Sequence, residues 1–182
     1  KSIAMPGCSI NNPTLTEADL RNLAVAKQYK VTDVMLPFVR NKADLIILRE
    51  ALREYGCEDI RIFAKIENMT GVEHLEELIP YCDYIVIARG DLGNAMPLSQ
   101  LPRIQAHIAR VCRKHNKDFM IVTQMLDSMI KNPYPTRAEV NDIYHAVTQG
   151  ASTLMLTGET AHGKYPVEAM KMLVDTAEES IL

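Results

Sequence analysis

Short apolar runs alternate with longer amphipathic stretches along this chain, and the alternation predicts five strand–helix units. Thr16-Glu17-Ala18-Asp19 reads as a capped helix start, with acidic residues in the first turn where the helix dipole favours them, and the helix is expected to reach about Lys30. Residues 31–38 read as strand, and residues from Asn41 or Lys42 to Tyr55 as amphipathic helix, with Gly56 placed to stop it. The pattern then recurs as strand 59–67 and helix 71–81, and as strand 83–89 and a helix from Pro97 or Leu101 to His115. Strand 117–124 and helix 136–149 follow, then strand 152–157 and helix 166–181. Thr136 and Pro166 stand where an N-cap and a first-turn proline belong.

The strand cores IRIFAKI, YIVIAR, DFMIVTQ and STLMLT are nearly continuous apolar runs without clean alternation, as expected of a parallel sheet covered on both faces. Strict strand–helix alternation argues for an α/β fold, either a barrel or a doubly wound sheet. A closed eight-unit barrel typically needs ~250 residues, so five units would leave an unpaired edge on the first and last strands. Either three units lie outside this chain or the sheet stays open. Neither G-x-G-x-x-G after the first strand nor G-x-x-x-x-G-K-[ST] occurs, which excludes the usual dinucleotide and P-loop readings.

Composition changes this picture little. With 182 residues, 47% of them hydrophobic, the chain suits one well-buried domain, and a net charge of −3 offers no electrostatic footprint for nucleic acid or an anionic membrane. No apolar run reaches the roughly 20 residues of a membrane span, and no signal-peptide pattern opens the chain. The four cysteines (Cys8, Cys57, Cys82, Cys112) lie far apart and read as reduced thiols of a cytoplasmic protein; the histidines show no metal-ligand spacing. The start at Lys1, without methionine, is a hint that the chain is part of something longer.

Reactive groups in parallel α/β folds gather at the carboxyl ends of the strands. Here those ends read Lys65-Ile66-Glu67-Asn68, Arg89-Gly90-Asp91-Leu92-Gly93, Thr123-Gln124 and Thr157-Gly158-Glu159-Thr160. Lys65 and Glu67 are two apart, so they point to the same side, about 6–7 Å apart along the strand. Taken alone, the pair reads as a strand-end salt bridge. Asp91, at the matching end of the next strand, is expected to converge with Glu67. Two adjacent carboxylates repel unless a proton or cation lies between them, and Mg²⁺ takes such sparse oxygen ligation, leaving room for water and substrate phosphate. Gly90 and Gly93 permit tight turning, with N–H groups there available to a substrate carboxylate. Thr123 offers a hydroxyl at the same rim.

The segments FAKIEN, VIARGDLG, VTQMLDSMIKNPYPTRAEVND and LMLTGETAHGKYPVEAM resemble, in order and spacing, the signature segments of pyruvate kinases. The opening KSIAMPG resembles the stretch where that family's chain re-enters its barrel from an inserted B domain. The resemblance implies a partial TIM (β/α)₈ barrel, residues 1–182 being the later part of the barrel (A) domain, without the first barrel strands, the B domain or the C-terminal domain. It further implies phosphoryl transfer from phosphoenolpyruvate to ADP, giving pyruvate and ATP. Lys65 then matches the lysine that stabilises the transition state, and Glu67 and Asp91 the Mg²⁺ or Mn²⁺ ligands. The Gly90–Asp91 backbone matches the substrate-carboxylate cradle. Thr123 matches a substrate-contacting threonine implicated in protonating the enolpyruvate, and Lys1 a lysine that contacts nucleotide. Arg137 and Glu159 lie in family segments and read as structural or interface residues.

The family's K⁺ ligands have no counterpart in the chain, and a homo-oligomer, a tetramer in the family, is implied. Asn94-Ala95 replaces the usual acidic residue after G-D-L-G, and Pro37 replaces a common serine. With half the substrate clamp outside it, this chain alone is expected to show little or no activity. Two other readings stand beside this one. The same carboxylates beside an enolate suit an Mg²⁺-dependent aldolase or lyase acting on pyruvate, and a truncated paralogue would act as a binding partner.

Overall fold

The computed structural model describes residues 12–181. In chain order the elements are α1 (Glu17–Ala26), β1 (Asp33–Leu36), α2 (Lys42–Glu54), β2 (Arg61–Ile66), α3 (Met69–Glu73), α4 (Leu75–Leu78) and β3 (Tyr84–Ala88). They continue with α5 (Arg89–Asn94), α6 (Leu101–Lys114), β4 (Phe119–Val122), α7 (Arg137–Thr148), β5 (Thr153–Met155), α8 (Gly158–Ala161) and α9 (Pro166–Glu179). All five expected strand–helix units are present.

The strands form one fully parallel sheet in the order β1-β2-β3-β4-β5. That order decides between the two architectures left open by periodicity. A doubly wound sheet reverses its strand order at a switch point, whereas a barrel adds each strand beside the last. The structure is an arc of a (β/α) barrel.

One face of the sheet carries Ile62, Ala64 and Ile66 of β2, Ile85 and Ile87 of β3 and Ile121 of β4. These pack with Leu45, Leu48 and Leu52 of α2, Ile104 and Ile108 of α6, Ile143 of α7 and Leu173 of α9 in a single core. The opposite face has its own cluster of Phe63, Val86, Ala88, Met120 and Val122. Both sets of alternating positions are therefore apolar, which is why the strands show no in/out alternation. On this second face, Phe63 and Tyr84 stack at 4.4 Å between ring centroids, and Arg61 lies 5.9 Å from each ring while pairing with Asp33 at 2.5 Å. Arg61 and Tyr84, the first residues of β2 and β3, place this stack towards the amino end of the strands, away from the rim where chemistry is expected.

Several helix boundaries differ from expectation. α1 ends at Ala26 rather than near Lys30, and a turn over 27–30 follows, closed by Lys30 at φ +54° with the Val31 N–H donating back to the Ala26 carbonyl at 3.0 Å. The helix expected over 71–81 begins earlier, at Met69, because Asn68 caps it by accepting from Gly71 N–H at 2.8 Å. It also breaks at His74, and its last turn, Ile79–Tyr81, is 3₁₀: Pro80 has no N–H to continue an α-helical ladder. Gly56 stops α2 as expected, at φ +65°.

Candidate active site

β2 delivers Lys65 and Glu67 to the carboxyl rim on the face opposite the helices, since both share the parity of Phe63. Glu67 is only 3% exposed. A carboxylate removed from water needs its oxygens occupied, and both are: Lys65 Nζ lies 2.7 Å from Oε1, and the Phe38 N–H donates to Oε2 at 2.7 Å. Phe38 comes from the turn after β1, where its φ is +52°. The Lys65–Glu67 salt bridge read from the sequence is thus present, and the lysine side chain remains 24% exposed, open towards the rim.

Arg89-Gly90-Asp91 was expected to close a strand. Instead β3 ends at Ala88 and these residues form the first turn of α5. Gly90 and Asp91 therefore stand just beyond the sheet, at the same end of β3 as Glu67 is of β2. Thr123 and Gln124 also lie past their strand, which ends at Val122. They adopt φ +85° and +53°. For a β-branched residue such a backbone is rare, and strain of this kind costs on the order of 1–3 kcal/mol.

Gly90 and Thr123 are neighbours across the rim. A Cβ on Gly90 would lie 3.1 Å from Thr123 Cγ2 and 3.5 Å from its Oγ1, so a side chain there would push the threonine away. The structure accordingly brings together two pairs, Lys65 with Glu67 and Gly90 with Thr123, on adjoining strand ends, with Asp91 on the same rim. Lys1, expected at the nucleotide, lies outside the described residues.

The donor set suits a hard divalent ion. Among the described residues no three His, Cys, Asp or Glu side chains cluster as ligands. An ion held by Glu67 and Asp91 would thus keep most of its shell for water and substrate oxygens, as Mg²⁺ does. Each Glu67 carboxylate oxygen has a second lone-pair direction beyond its present partner.

Glu159, read as structural or interface, is 1% exposed and accepts from the N–H groups of Leu126 (3.1 Å) and Thr157 (2.8 Å). Burial alone would raise its pKa, but the amides around it, its own included, hold the carboxyl below the ordinary range. It fastens the β4 and β5 rim loops to each other. Arg137 sits exposed at the start of α7.

Three features of the rim have no counterpart among the sequence expectations: the Phe38 N–H on Glu67, the Asn68 cap, and the bonds from Arg89 to the Thr123 carbonyl and Asp142. Asn68, three residues before Gly71, carried a capping signal. The Phe38 amide carried none, because a backbone donor has no sequence signature.

Parallel strands in sequential order, helices on one face and a lysine, carboxylates and a threonine at the carboxyl rim define the class: the reactive-face arc of a (β/α)₈-type barrel. The family model for the pyruvate kinase barrel domain matches residues 1–170. The chain is 40% identical to pyruvate kinase from Clostridium acetobutylicum over 180 residues, covering 99% of this chain and 38% of that protein. It is 41% identical over 179 residues to the enzyme from Borreliella burgdorferi (98% and 38%), and 40% identical over 177 residues to that from Kluyveromyces lactis (97% and 35%). This chain belongs to the pyruvate kinase family. It spans little more than a third of the length of these relatives.

Proposed function

We propose that the natural protein carrying this chain transfers the phosphoryl group of phosphoenolpyruvate to ADP, giving pyruvate and ATP. The observation that supports this most is the Lys65–Glu67 pair, a partly exposed ammonium held on a buried carboxylate at a strand end, in a chain of this family. In the reaction, the bond from phosphorus to the enol oxygen breaks and one to a β-phosphate oxygen of ADP forms, after which the enolate carbon takes a proton. Such a transfer gives the protein little covalent work, so fixed charge on the moving group carries most of the catalysis. Lys65 Nζ supplies that charge. Glu67 holds the lysine in place and, with Asp91, would hold Mg²⁺ or Mn²⁺, which when bound neutralises phosphate charge. The Gly90–Asp91 backbone receives the substrate carboxylate, and the Thr123 hydroxyl stands at the enolate carbon and takes part in its protonation. Lys1 contacts the nucleotide. K⁺ is taken up by residues outside this chain, the assembly is a homotetramer, and the protein works in the cytoplasm.

A lactate-dehydrogenase-coupled assay of the full-length natural protein tests the reading. Pyruvate should form only with phosphoenolpyruvate, ADP and a divalent cation together. Lys65→Met should lower kcat by about 10²–10³-fold, the usual loss for one electrostatic donor. Absence of turnover in the full-length protein, under Mg²⁺ and K⁺, would defeat the proposal. A polypeptide of residues 1–182 alone should give little or none.

A further inference from the structure

Arg89 leaves β3 beside Gly90 and, among the described residues, its side chain touches none of the groups assigned to the phosphoryl transfer other than Thr123. Its side chain is 11% exposed. Nη1 donates to both carboxylate oxygens of Asp142 on α7, at 2.8 and 2.6 Å. Nε and Nη2 both donate to the carbonyl of Thr123, at 3.1 and 2.7 Å, and Nη2 also reaches the Gln124 carbonyl at 3.3 Å. Thr123 and Gln124 are the consecutive residues in the left-handed region. A β-branched residue stays there only when its surroundings over-determine it.

While Arg89 grips the Thr123 carbonyl, the next residue in the chain, Gly90, leaves the space beside the threonine side chain free, where a Cβ would come within 3.1 Å of Cγ2. The backbone of Thr123 is therefore referenced to the end of β3. Only a planar fork can place two donors on one carbonyl and turn the third edge to a carboxylate; an ammonium cannot.

We propose that Arg89, locked by Asp142, is a positioning residue that holds Thr123 in its strained backbone and so aims Oγ1 at the reacting carbon. The aim depends on the function proposed above; the clamp itself does not.

The test uses the full-length protein with Arg89→Lys, Asp142→Asn, Thr123→Ala and the Arg89→Lys/Thr123→Ala double variant. Misplacing a reacting group by about 1 Å costs on the order of 100-fold, so Arg89→Lys should lower kcat by about 10–100-fold, with KM for ADP nearly unchanged. Because Arg89 acts through Thr123, the double variant should be no slower than Thr123→Ala alone, within about twofold. Losses that multiply in the double variant overturn the proposal. Hydrogen exchange of the peptide spanning 123–126 should quicken in both Arg89→Lys and Asp142→Asn while the helices keep wild-type protection. Unchanged exchange in both overturns the clamp whether or not turnover is seen. If Arg89→Lys does not fold, Asp142→Asn carries the same two readouts. Failure of the wild type to turn over phosphoenolpyruvate counts against the function, and the exchange result still decides the clamp.

Discussion

Two glutamates end up almost out of water at the rim, and what occupies their oxygens separates their roles. Glu159 is surrounded by backbone N–H groups of Leu126 and Thr157, donors fixed by the fold. Glu67 has one such amide, from Phe38, and one flexible ammonium, from Lys65. Fixed donors make a brace, whereas a flexible cation leaves a group that incoming charge can reorganise. Replacing Glu159 with alanine strands two amides, at about 1–3 kcal/mol each, and urea unfolding should show that loss. The pH dependence has a definite sign. The Glu159 carboxyl, held below its ordinary value of 4.5, contributes stability that is fully present above that value and is lost as pH falls through the lower folded value. Asp44 behaves alike below 3.8: burial would raise it, but Arg40 and Thr14 hydrogen bonds hold it down. Glu159→Gln should therefore flatten the fall of unfolding free energy in acid, and an unchanged slope would assign that fall to other groups. In the sequence both glutamates follow strands inside family-like segments, and nothing in their type tells brace from active group.

Among the elements, helix starts were more legible than helix ends. Thr16 and Thr136 each accept from the N–H three residues on, while Asp19 and Glu139 return the bond to the cap backbone. At α7 the same Glu139 also accepts from Ser128 N–H at 2.7 Å and Ser128 Oγ at 2.6 Å, tying the helix to the turn after β4. Thr136→Ala should thus cost about 1 kcal/mol, and Glu139→Ala should cost more in the same urea unfolding measurement, because it releases the rim turn as well. Equal losses would mean that the Ser128 contacts contribute nothing. Strands β3 and β4 end earlier than their sequence pattern predicts. The apolar pattern predicts β3 to Arg89 and β4 to Gln124, and both strands are shorter because the rim residues leave the ladder to form α5 and the left-handed bend. Charged and polar side chains at 89 and 124 do not reveal whether the backbone is extended there; only the neighbouring strand's length does.

Across the whole molecule, one core is sandwiched between the sheet and its helices, and Cys82 and Cys112 are buried within it. Burial pushes both thiols up to about 12, so neither supplies thiolate at neutral pH. Alkylation of these two residues should occur only on unfolding, and their labelling rates should rise together with denaturant. Fast labelling of either in the native protein would show that the sheet–helix seam opens locally. No helix among the described residues is long and apolar enough to cross a membrane. Within these residues β1 and β5 stand at the two edges of the sheet.

The sequence alone determined the number and order of the strand–helix units, the caps of α1 and α7, the stop at Gly56 and the rim on which Lys65, Glu67, Asp91 and Thr123 lie. These follow from periodicity and from side-chain chemistry within a few residues, which local patterns encode. Only the tertiary structure decided that the strands run in unbroken order on one side of their helices, and that Glu67 rests on the amide of Phe38. The grip of Arg89 on Thr123, 34 residues away, belongs with these. Such contacts depend on which strand lies beside which and on backbone donors identical in every residue, so no local pattern of side chains can specify them.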